Sequence, residues 1–554
     1  MTTVSPAEVE PVCAPVETPW RRLSLRMLAV HPVIELIRAL PAVAALLIVG
    51  SQRENGQWWG YVGIGVPVVI GLVRWATTRY RITPAQIQVR RGLFGRSVRT
   101  VPRDRVRSVD VTSHLMHRLL GLTKVAVGTG QVDRQKNSGL VLDGMSTQDA
   151  SRLREELLHS RSTEATPARE TSLAGETTLA SETTLASETT MTGETTFACK
   201  TTMTGQTTLA HDTLPVRETT LARLEPAWIR YGPFTLSGVV TIGVVAAFAW
   251  RTINEAHLNP DQFGPFHAFI GHLASLPLAW AAIEVAVVGL MLVALASTVA
   301  YVMAFWNFRL TRTSSGTLHV SRGLLTTRST TIEERRLRGV EISEPLLLRA
   351  VGAARCTAIT TGLRYGRGAE RGGSLLLPPA PVEEARRVAT HVLRSAEPPT
   401  VPLVRHTRAA ARRRIIRAML GAGVLVGIAG LFSWGLDQPG WTVATAVVVP
   451  ACALWLGRDR FRSLGHTIVD GKLVFRVGSV ARRRYVIDSD GVIGWKFRQS
   501  FFQRRAGLVT LTATTAAGRQ HYALPDVDTA TAVRLADVVL PGLLEPFLLR
   551  PQAQ

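Results

Sequence analysis

Cysteine is scarce in this chain of 554 residues, which contains only Cys13, Cys199, Cys356 and Cys452. The four lie far apart in sequence and form no C-x-x-C pair, which argues against a zinc site or a disulfide framework built on close spacing. We expect isolated thiols in a reducing compartment.

Motifs of the common enzyme classes are missing as well. The chain has no G-x-x-x-x-G-K-[ST] loop for phosphates, no H-E-x-x-H and no G-x-S-x-G. His114 and His117 share a short stretch without a third ligand, so we interpret them as ordinary side chains beside Leu115 and Met116. We therefore predict a non-enzymatic protein with no catalytic residues, no cofactor and no metal.

Charged residues are few for a soluble protein, at 19% of the chain against roughly 25% in typical globular domains. The net charge is nevertheless +23, with 46% hydrophobic residues and a mean hydropathy of +0.15. A chain both basic and apolar is typical of an integral membrane protein, so we expect no nucleic-acid partner. The basic aromatic stretch at Phe501 and Phe502 aligns with leucine-rich stretches elsewhere, which favours core packing over base stacking.

Long apolar runs are present, and they come in close pairs. Six are of the length that crosses a bilayer, which needs roughly 17–25 residues. They predict an integral membrane protein with six transmembrane helices arranged as three hairpins. The runs are 36–54, 58–76, 233–251, 277–305, 417–436 and 440–457.

Arginine predicts the orientation of these hairpins, because basic residues collect on the cytoplasmic side of a span. Arginines flank the outer ends of the hairpins, whereas the loop 252–275 has neither Lys nor Arg. We expect a multi-pass protein of the plasma (inner) membrane with both termini and all large segments in the cytoplasm. Glu284 falls in an apolar run, where it either sits at the outer interface or marks an ion path.

An internal repeat is the most specific signal in the chain. Each predicted hairpin is followed by a related segment, and two glycines keep one spacing in all three. Several short strands with turn signals lie between them, and a helix closes each segment, as Ser146–His159 does in the first, with Ser146 as its predicted N-cap. We interpret the glycines as structural turn residues that need positive φ. They are Gly92 and Gly121, Gly323 and Gly352, and Gly478 and Gly507.

The repeated pattern resembles the bacterial PH domain 2 family, once called DUF304, of membrane-anchored bacterial PH-like proteins. The resemblance rests on Y-R-I-T at Tyr80, R-R-G-L at Arg90, V-P-x-x-R-V-x-S-V at Val101 and L-x-G-L at Leu119. It is clear in the second segment and degenerate in the third, which has His466 in place of Arg. The resemblance implies three small PH-like β-barrels, each with a C-terminal helix, and it supplies no activity.

Together these signals divide the chain into nine segments. PH-like domains alternate with predicted hairpins and linkers. The segments are a cytoplasmic tail (1–30), hairpin 1 (33–76), PH-like domain 1 (77–160), a Thr-rich linker (161–224), hairpin 2 (228–306), PH-like domain 2 (307–397), a basic linker (398–416), hairpin 3 (417–457) and PH-like domain 3 (458–545).

The Thr-rich linker is a low-complexity array of hexapeptides such as Glu176-Thr-Thr-Leu-Ala-Ser. With one apolar residue in six it has little to bury, which favours a flexible tether. A short left-handed β-solenoid is the alternative, because such coils also repeat every six residues.

The function predicted from these features is a membrane-anchored scaffold or regulatory protein. Its expected partners are membrane lipids and other proteins, or a second copy through self-association. A component of a transport or export system is the alternative, although few polar residues lie in the apolar runs. Arginines next to the runs are candidates for contact with anionic lipid. They are Arg79, Arg81, Arg412, Arg413, Arg414, Arg458, Arg460 and Arg462.

Overall fold

The computed structural model describes most of residues 57–159, 218–247, 264–363, 373–435 and 440–547, and a few residues between 20 and 28. The predicted run 36–54, about half of the run 233–251, Gly92 and the hexapeptides before residue 218 lie outside the described residues. Within them, strands outnumber helices, and the same order of elements occurs three times.

Each repeat places two small sheets face to face and closes them with a helix. Along the chain, the strands of the first sheet come after the long helices, and the strands of the second sheet come after those of the first. In repeat 1 the strands are β1 (Arg21–Arg22), β2 (Arg79–Ile82), β3 (Gln86–Arg91), β4 (Ser97–Pro102), β5 (Ser108–His114), β6 (Leu122–Gly128) and β7 (Leu140–Ser146), and the helices are α1 (Gln57–Thr77), α2 (Leu115–Leu119) and α3 (Thr147–His159).

Repeat 2 adds a strand from the last hexapeptide of the Thr-rich array. This strand, β8, pairs with β9. The strands of repeat 2 are β8 (Glu218–Arg223), β9 (Arg309–Thr313), β10 (Thr317–Arg322), β11 (Thr326–Glu333), β12 (Leu337–Pro345), β13 (Ala353–Thr360) and β14 (Leu375–Pro381), and the helices are α4 (Gly264–Ser275), α5 (Leu278–Phe305), α6 (Leu346–Ala350) and α7 (Val382–Leu393).

Repeat 3 has the same plan, and a single bridge between Val404 and His466 stands where β1 and β8 stand in the others. Its strands are β15 (Gly465–Val469), β16 (Lys472–Val477), β17 (Ala481–Asp488), β18 (Val492–Arg498), β19 (Leu508–Thr515) and β20 (His521–Asp528), and its helices are α8 (Arg408–Gly435), α9 (Gly440–Arg462), α10 (Phe501–Arg505) and α11 (Thr529–Val539).

Period-two and helical patterns explain why these segments fold as they do. In β10 the buried residues Leu318 and Val320 alternate with more exposed neighbours, so one face of the strand enters the core. In α7 the buried residues recur at helical spacing, as Ala385, Val388 and Val392 do. The predicted N-cap of α3 is confirmed, because the backbone N–H of Asp149 donates to Ser146 Oγ at 3.0 Å.

Neighbouring repeats share a sheet. Strand β5 of repeat 1 pairs with β11 of repeat 2, and this makes one seven-stranded sheet in the order β7-β6-β5-β11-β10-β9-β8. Strand β12 of repeat 2 pairs with β17 of repeat 3 in a six-stranded sheet. A four-stranded sheet, β1 to β4, and a three-stranded sheet, β18 to β20, end the array.

The five described repeat glycines, Gly121, Gly323, Gly352, Gly478 and Gly507, all have positive φ. At Gly323 a Cβ atom would lie 2.0 Å from the carbonyl oxygen of Thr326, so the turn into β11 has no room for a side chain.

The prediction of six transmembrane helices in three hairpins is wrong. The described residues contain two helices long and apolar enough to span a membrane, Leu278–Phe305 and Arg408–Ser433, in a chain that is otherwise largely β-sheet. The fully described apolar part of α1 is only Val68–Thr77. Helix α9 has Pro450 in its interior and ends on charged residues, which limits its apolar length.

Candidate membrane-facing surface

The outward faces of α5 and α8 are apolar and uncovered. On α5, Leu290 and Met291 are 69% and 68% exposed, and on α8 Leu420 and Leu431 are 66% and 76% exposed. At 28 and 26 residues these helical segments reach about 40 Å, more than the roughly 30 Å hydrocarbon core of a bilayer. Uncovered apolar surface of this extent calls for lipid or a partner.

The turn between β10 and β11 is fastened to the C-terminal end of α5. The backbone N–H of Gly323 donates to the carbonyl of Trp306 at 2.8 Å, and that of Leu324 donates to the carbonyl of Met303 at 3.0 Å. Leu324 and Leu325 point outward and are exposed. The turn therefore lies beside the C-terminal end of the candidate span α5, while the opposite turn at Gly316 lies one strand length away.

Helix α2 brings an apolar tip of repeat 1 to the same turn. Arg118 Nη1 donates to the carbonyl of Leu324 at 3.0 Å. Leu115, Met116 and Leu119 are exposed, Leu119 by 75%. An exposed helix of this kind, apolar with one basic residue, has the composition of an interfacial contact.

Helix α6 repeats the arrangement between repeats 2 and 3. The backbone N–H of Leu346 donates to the carbonyl of Val480 at 2.7 Å, and Arg349 Nη1 donates to the carbonyl of Ser479 at 3.4 Å. Arg349 also bonds Asp459 near the end of α9, with Nη1 3.3 Å from Oδ2. Leu347 and Val480 are exposed beside these contacts.

Helix α10 is the third tip, and here the prediction of core packing is wrong. Phe501 and Phe502 are 65% and 72% exposed. Ser500 caps the helix and Gln503 completes the capping box, which turns the two phenylalanines outward. Ser500 Oγ accepts from Arg413 Nη2 of α8 at 3.3 Å, so this tip also lies beside a candidate span. We refer to the exposed apolar residues of α2, α6 and α10 as the tip surface.

A buried carboxylate ties α8 to repeat 3. Asp526 is 1% exposed, and it forms ion pairs with Arg413 and with Arg414, whose Nε lies 2.9 Å from Oδ2. Gln503 Nε2 donates to Asp526 Oδ1 at 3.0 Å, which links this cluster to the third tip. His406 donates through Nδ1 to the carbonyl of Asp526 at 3.1 Å.

His406 is neutral at pH 7 in this cluster. Burial is the main cause that lowers its pKa to about 4, and the neighbouring His466 ring, 5.1 Å away, adds to the effect. The buried ion pairs of Asp526 with Arg413 and Arg414 attach α8 rigidly to repeat 3.

The candidate lipid-contact arginines separate into two groups. Arg413 and Arg414 are engaged by Asp526. Arg412 at the start of α8 and Arg458, Arg460 and Arg462 at the end of α9 are exposed, and they meet because the two helices pack antiparallel.

The remaining two arginines lie on β2 of repeat 1. Arg79 is exposed and faces Arg22 and Arg90 on the neighbouring strands, whereas Arg81 stacks over the ring of Trp20 at 5.5 Å. Lipid contact stays a prediction for all eight arginines.

Two polar features of the sequence have ordinary surroundings. His117 is 1% exposed with Nε2 3.4 Å from Asp143 Oδ1, and the described residues contain no cluster of three metal-ligating side chains. Glu284 Oε2 lies 3.2 Å from His272 Nε2, and both side chains are partly exposed.

The tip surface had a weak sequence signal that could have been found. Each tip starts a fixed distance before the second repeat glycine and combines apolar residues with arginine. A buried helix has the same sequence pattern, so the pattern does not predict that these apolar side chains are exposed.

Comparison with known proteins gives two matches. The family profile described as Bacterial PH domain matches residues 29–161, 268–396 and 415–541. The UPF0699 transmembrane protein YdbT of Bacillus subtilis (strain 168) is 20% identical over 491 residues, which cover 87% of this chain and 90% of that protein. No solved structure matches the chain.

Proposed function

Because the chain belongs to the bacterial PH domain family, as its sequence motifs indicated, we propose that it is a non-enzymatic scaffold anchored in the plasma membrane. In this proposal α5 inserts into the membrane, α8 inserts together with α9, which returns the chain to repeat 3, and the shared sheets hold three PH-like units against the inner leaflet. The likeness to a transmembrane protein along most of the chain supports the membrane location.

The observation that carries the proposal is the common position of the three tips. Each short helix is hydrogen-bonded to a long helix or to a turn fastened to one, and each presents exposed apolar side chains next to arginine. Shared sheets keep the tips in a fixed relation, so all three meet the interface together. Such a surface gains from burial of apolar area and from anionic headgroups.

Lipid headgroups are the partners that the exposed arginines favour. Arg412, Arg458, Arg460 and Arg462 surround the membrane-proximal ends of α8 and α9, and each basic residue near an anionic leaflet contributes about 1 kcal/mol. The same arginines favour a cytoplasmic orientation of the sheets. The proposal adds protein partners, which bind the assembled units from the cytoplasm.

A depth measurement tests the proposal. The full chain, with Cys13, Cys199 and Cys452 replaced, is labelled with an environment-sensitive fluorophore through Phe502→Cys and reconstituted in phosphatidylcholine vesicles with and without phosphatidylglycerol. We expect blue-shifted emission, quenching by brominated lipid and a larger effect with phosphatidylglycerol. Ser315→Cys, exposed in the opposite turn, is the matched control and should give emission typical of water. Equal emission and quenching at both sites would contradict the proposal.

A further inference from the structure

The two ends of the array carry sheet edges that match each other. Among the described residues, β4 pairs with β3 alone and β18 pairs with β19 alone. At the internal junctions β5 pairs with β11 and β12 pairs with β17. In the order of elements of a repeat, β4 corresponds to β11 and β17, and β18 corresponds to β5 and β12. One kind of junction is thus used twice inside the chain, and its two halves remain at opposite ends.

The two internal junctions have the same register relative to the repeat glycines. Thr326, three residues after Gly323, pairs with His114, seven residues before Gly121. Ala481, three residues after Gly478, pairs with Pro345, seven residues before Gly352. Because register is set by side-chain pattern and sheet geometry, this agreement makes the junction a repeated interface.

We propose that a second copy of this chain adds head to tail through β18 and β4. The internal register then places Val98 opposite Phe497 and Thr100 opposite Trp495. Val98 and Phe497 are 54% and 38% exposed in the single chain, and an apolar cross-strand pair would cover both. This inference goes beyond the proposed function and does not depend on lipid contact by the tips.

An arginine at the third tip fits the same contact. Arg118 and Arg349 each hold a turn of the following repeat by donating to a backbone carbonyl. Arg504 occupies the equivalent position in repeat 3, is exposed, and makes no side-chain hydrogen bond among the described residues.

One pair in the new junction is unfavourable and sets its strength. Lys496 of β18 lies at the position that Asp110 occupies in β5 and Glu341 occupies in β12. The internal register places Lys496 opposite Arg99 of the second copy. Like charges directly opposite destabilise a strand pair, so the contact is reversible and strengthens with salt. Because the interface is heterologous, it extends to a row or closes to a ring in the membrane plane.

Cross-linking tests the proposal in full-length protein reconstituted in vesicles. Cys13, Cys199 and Cys452 are replaced, and the fully buried Cys356 is kept. Oxidation of a Val98→Cys/Phe497→Cys variant should give a ladder of covalent dimers and larger species. The off-register control, Val98→Cys/Ile493→Cys, has a more exposed cysteine on β18 and should still give little product.

A charge reversal at Lys496 adds a second readout, which is the direction in which the amount of cross-linked product changes. Lys496→Glu in the on-register variant should raise cross-linking at low salt about threefold to fivefold. The positive control is a Val111→Cys/Ser329→Cys pair, which should cross-link within one chain across the internal junction. If this control cross-links but the on-register variant gives only monomer, the proposal is overturned. Equal products from the on-register and off-register pairs would also overturn it. A decrease with Lys496→Glu would instead indicate an acidic strand on this edge.

Discussion

The two internal junctions use one register but different chemistry. Between repeats 1 and 2 a partly buried hydroxyl bond lies in the middle of the junction, where Thr330 Oγ1 donates to Asp110 Oδ1 at 2.6 Å. Between repeats 2 and 3 the same position holds Glu341, 2% exposed, with Arg483 Nε at 3.3 Å and Arg519 Nη2 at 3.4 Å. The two junctions therefore share their backbone pairing, and their side-chain contacts determine how stable each junction is.

The junctions also differ in length. Six residue pairs join β5 to β11, and seven join β12 to β17. The additional pair is Gly339 with Ile487, and a Cβ atom on Gly339 would lie 2.0 Å from the carbonyl oxygen of Val486. Ser108 stands at the equivalent place in β5, where the pairing with β11 stops at Val109. We infer that glycine permits the longer and stronger junction.

The largest effect is expected for Glu341→Ala. Its loss leaves Arg483 and Arg519 without their carboxylate in a mostly buried junction, which should cost about 3 kcal/mol of unfolding free energy. The measurement is hydrogen exchange of the full chain in detergent, where β12 and β17 should lose protection and β5 and β11 should keep it. Glu344→Ala, on the same strand and half-buried, is the control and should change exchange little. Equal effects of both variants would contradict this role.

A somewhat smaller effect is expected for Gly339→Ala. The new methyl group would collide with the Val486 carbonyl and force the strands apart, at about 2 kcal/mol. Ser108→Ala at the equivalent place should shift thermal unfolding hardly at all. If both substitutions lowered the unfolding midpoint alike, the explanation of the longer junction would be wrong.

Asp110→Ala should weaken the junction between repeats 1 and 2 by about 1 to 2 kcal/mol, because one hydrogen bond to a charged group is lost. Exchange should then rise in β5 and β11 and stay unchanged in β12 and β17. Thr330→Val removes the same bond from the other side, and the double variant should cost little more than either single one. Additive losses would show that the two side chains act independently.

The smallest effect is a pH dependence confined to the junction between repeats 1 and 2. His114 Nδ1 lies 3.1 Å from Thr326 Oγ1 across it, and burial lowers the pKa of His114, with His117 and Lys124 adding to the effect and Asp143 opposing it. The unfolded chain then binds more protons as pH falls below about 6.5, so stability decreases on acidification. His114→Gln should flatten this response in β5 exchange, and an unchanged slope would contradict it.

Sequence reasoning found the repeat, the family and the closing helices, because glycine spacing, strand patterns and the cap at Ser146 are local signals. It did not find the shared sheets, since pairing of β5 with β11 joins segments more than two hundred residues apart. It also overcounted the spanning helices, because apolar runs resemble one another whether or not they continue as long helices. The exposure of Phe501 and Phe502 and the use of Arg413 and Arg414 by Asp526 depend on tertiary contacts that no local pattern encodes.

A cross-strand disulfide shows whether repeats 1 and 2 share a sheet. Val111 and Ser329 pair across the junction between repeats 1 and 2, whereas Ser321 and Ser329 pair within repeat 2. Oxidation of the full chain carrying Val111→Cys and Ser329→Cys, with Cys13, Cys199 and Cys452 replaced, should form an intramolecular disulfide, and so should oxidation of the Ser321→Cys/Ser329→Cys pair. A disulfide within repeat 2 but none between repeats 1 and 2 would contradict the account.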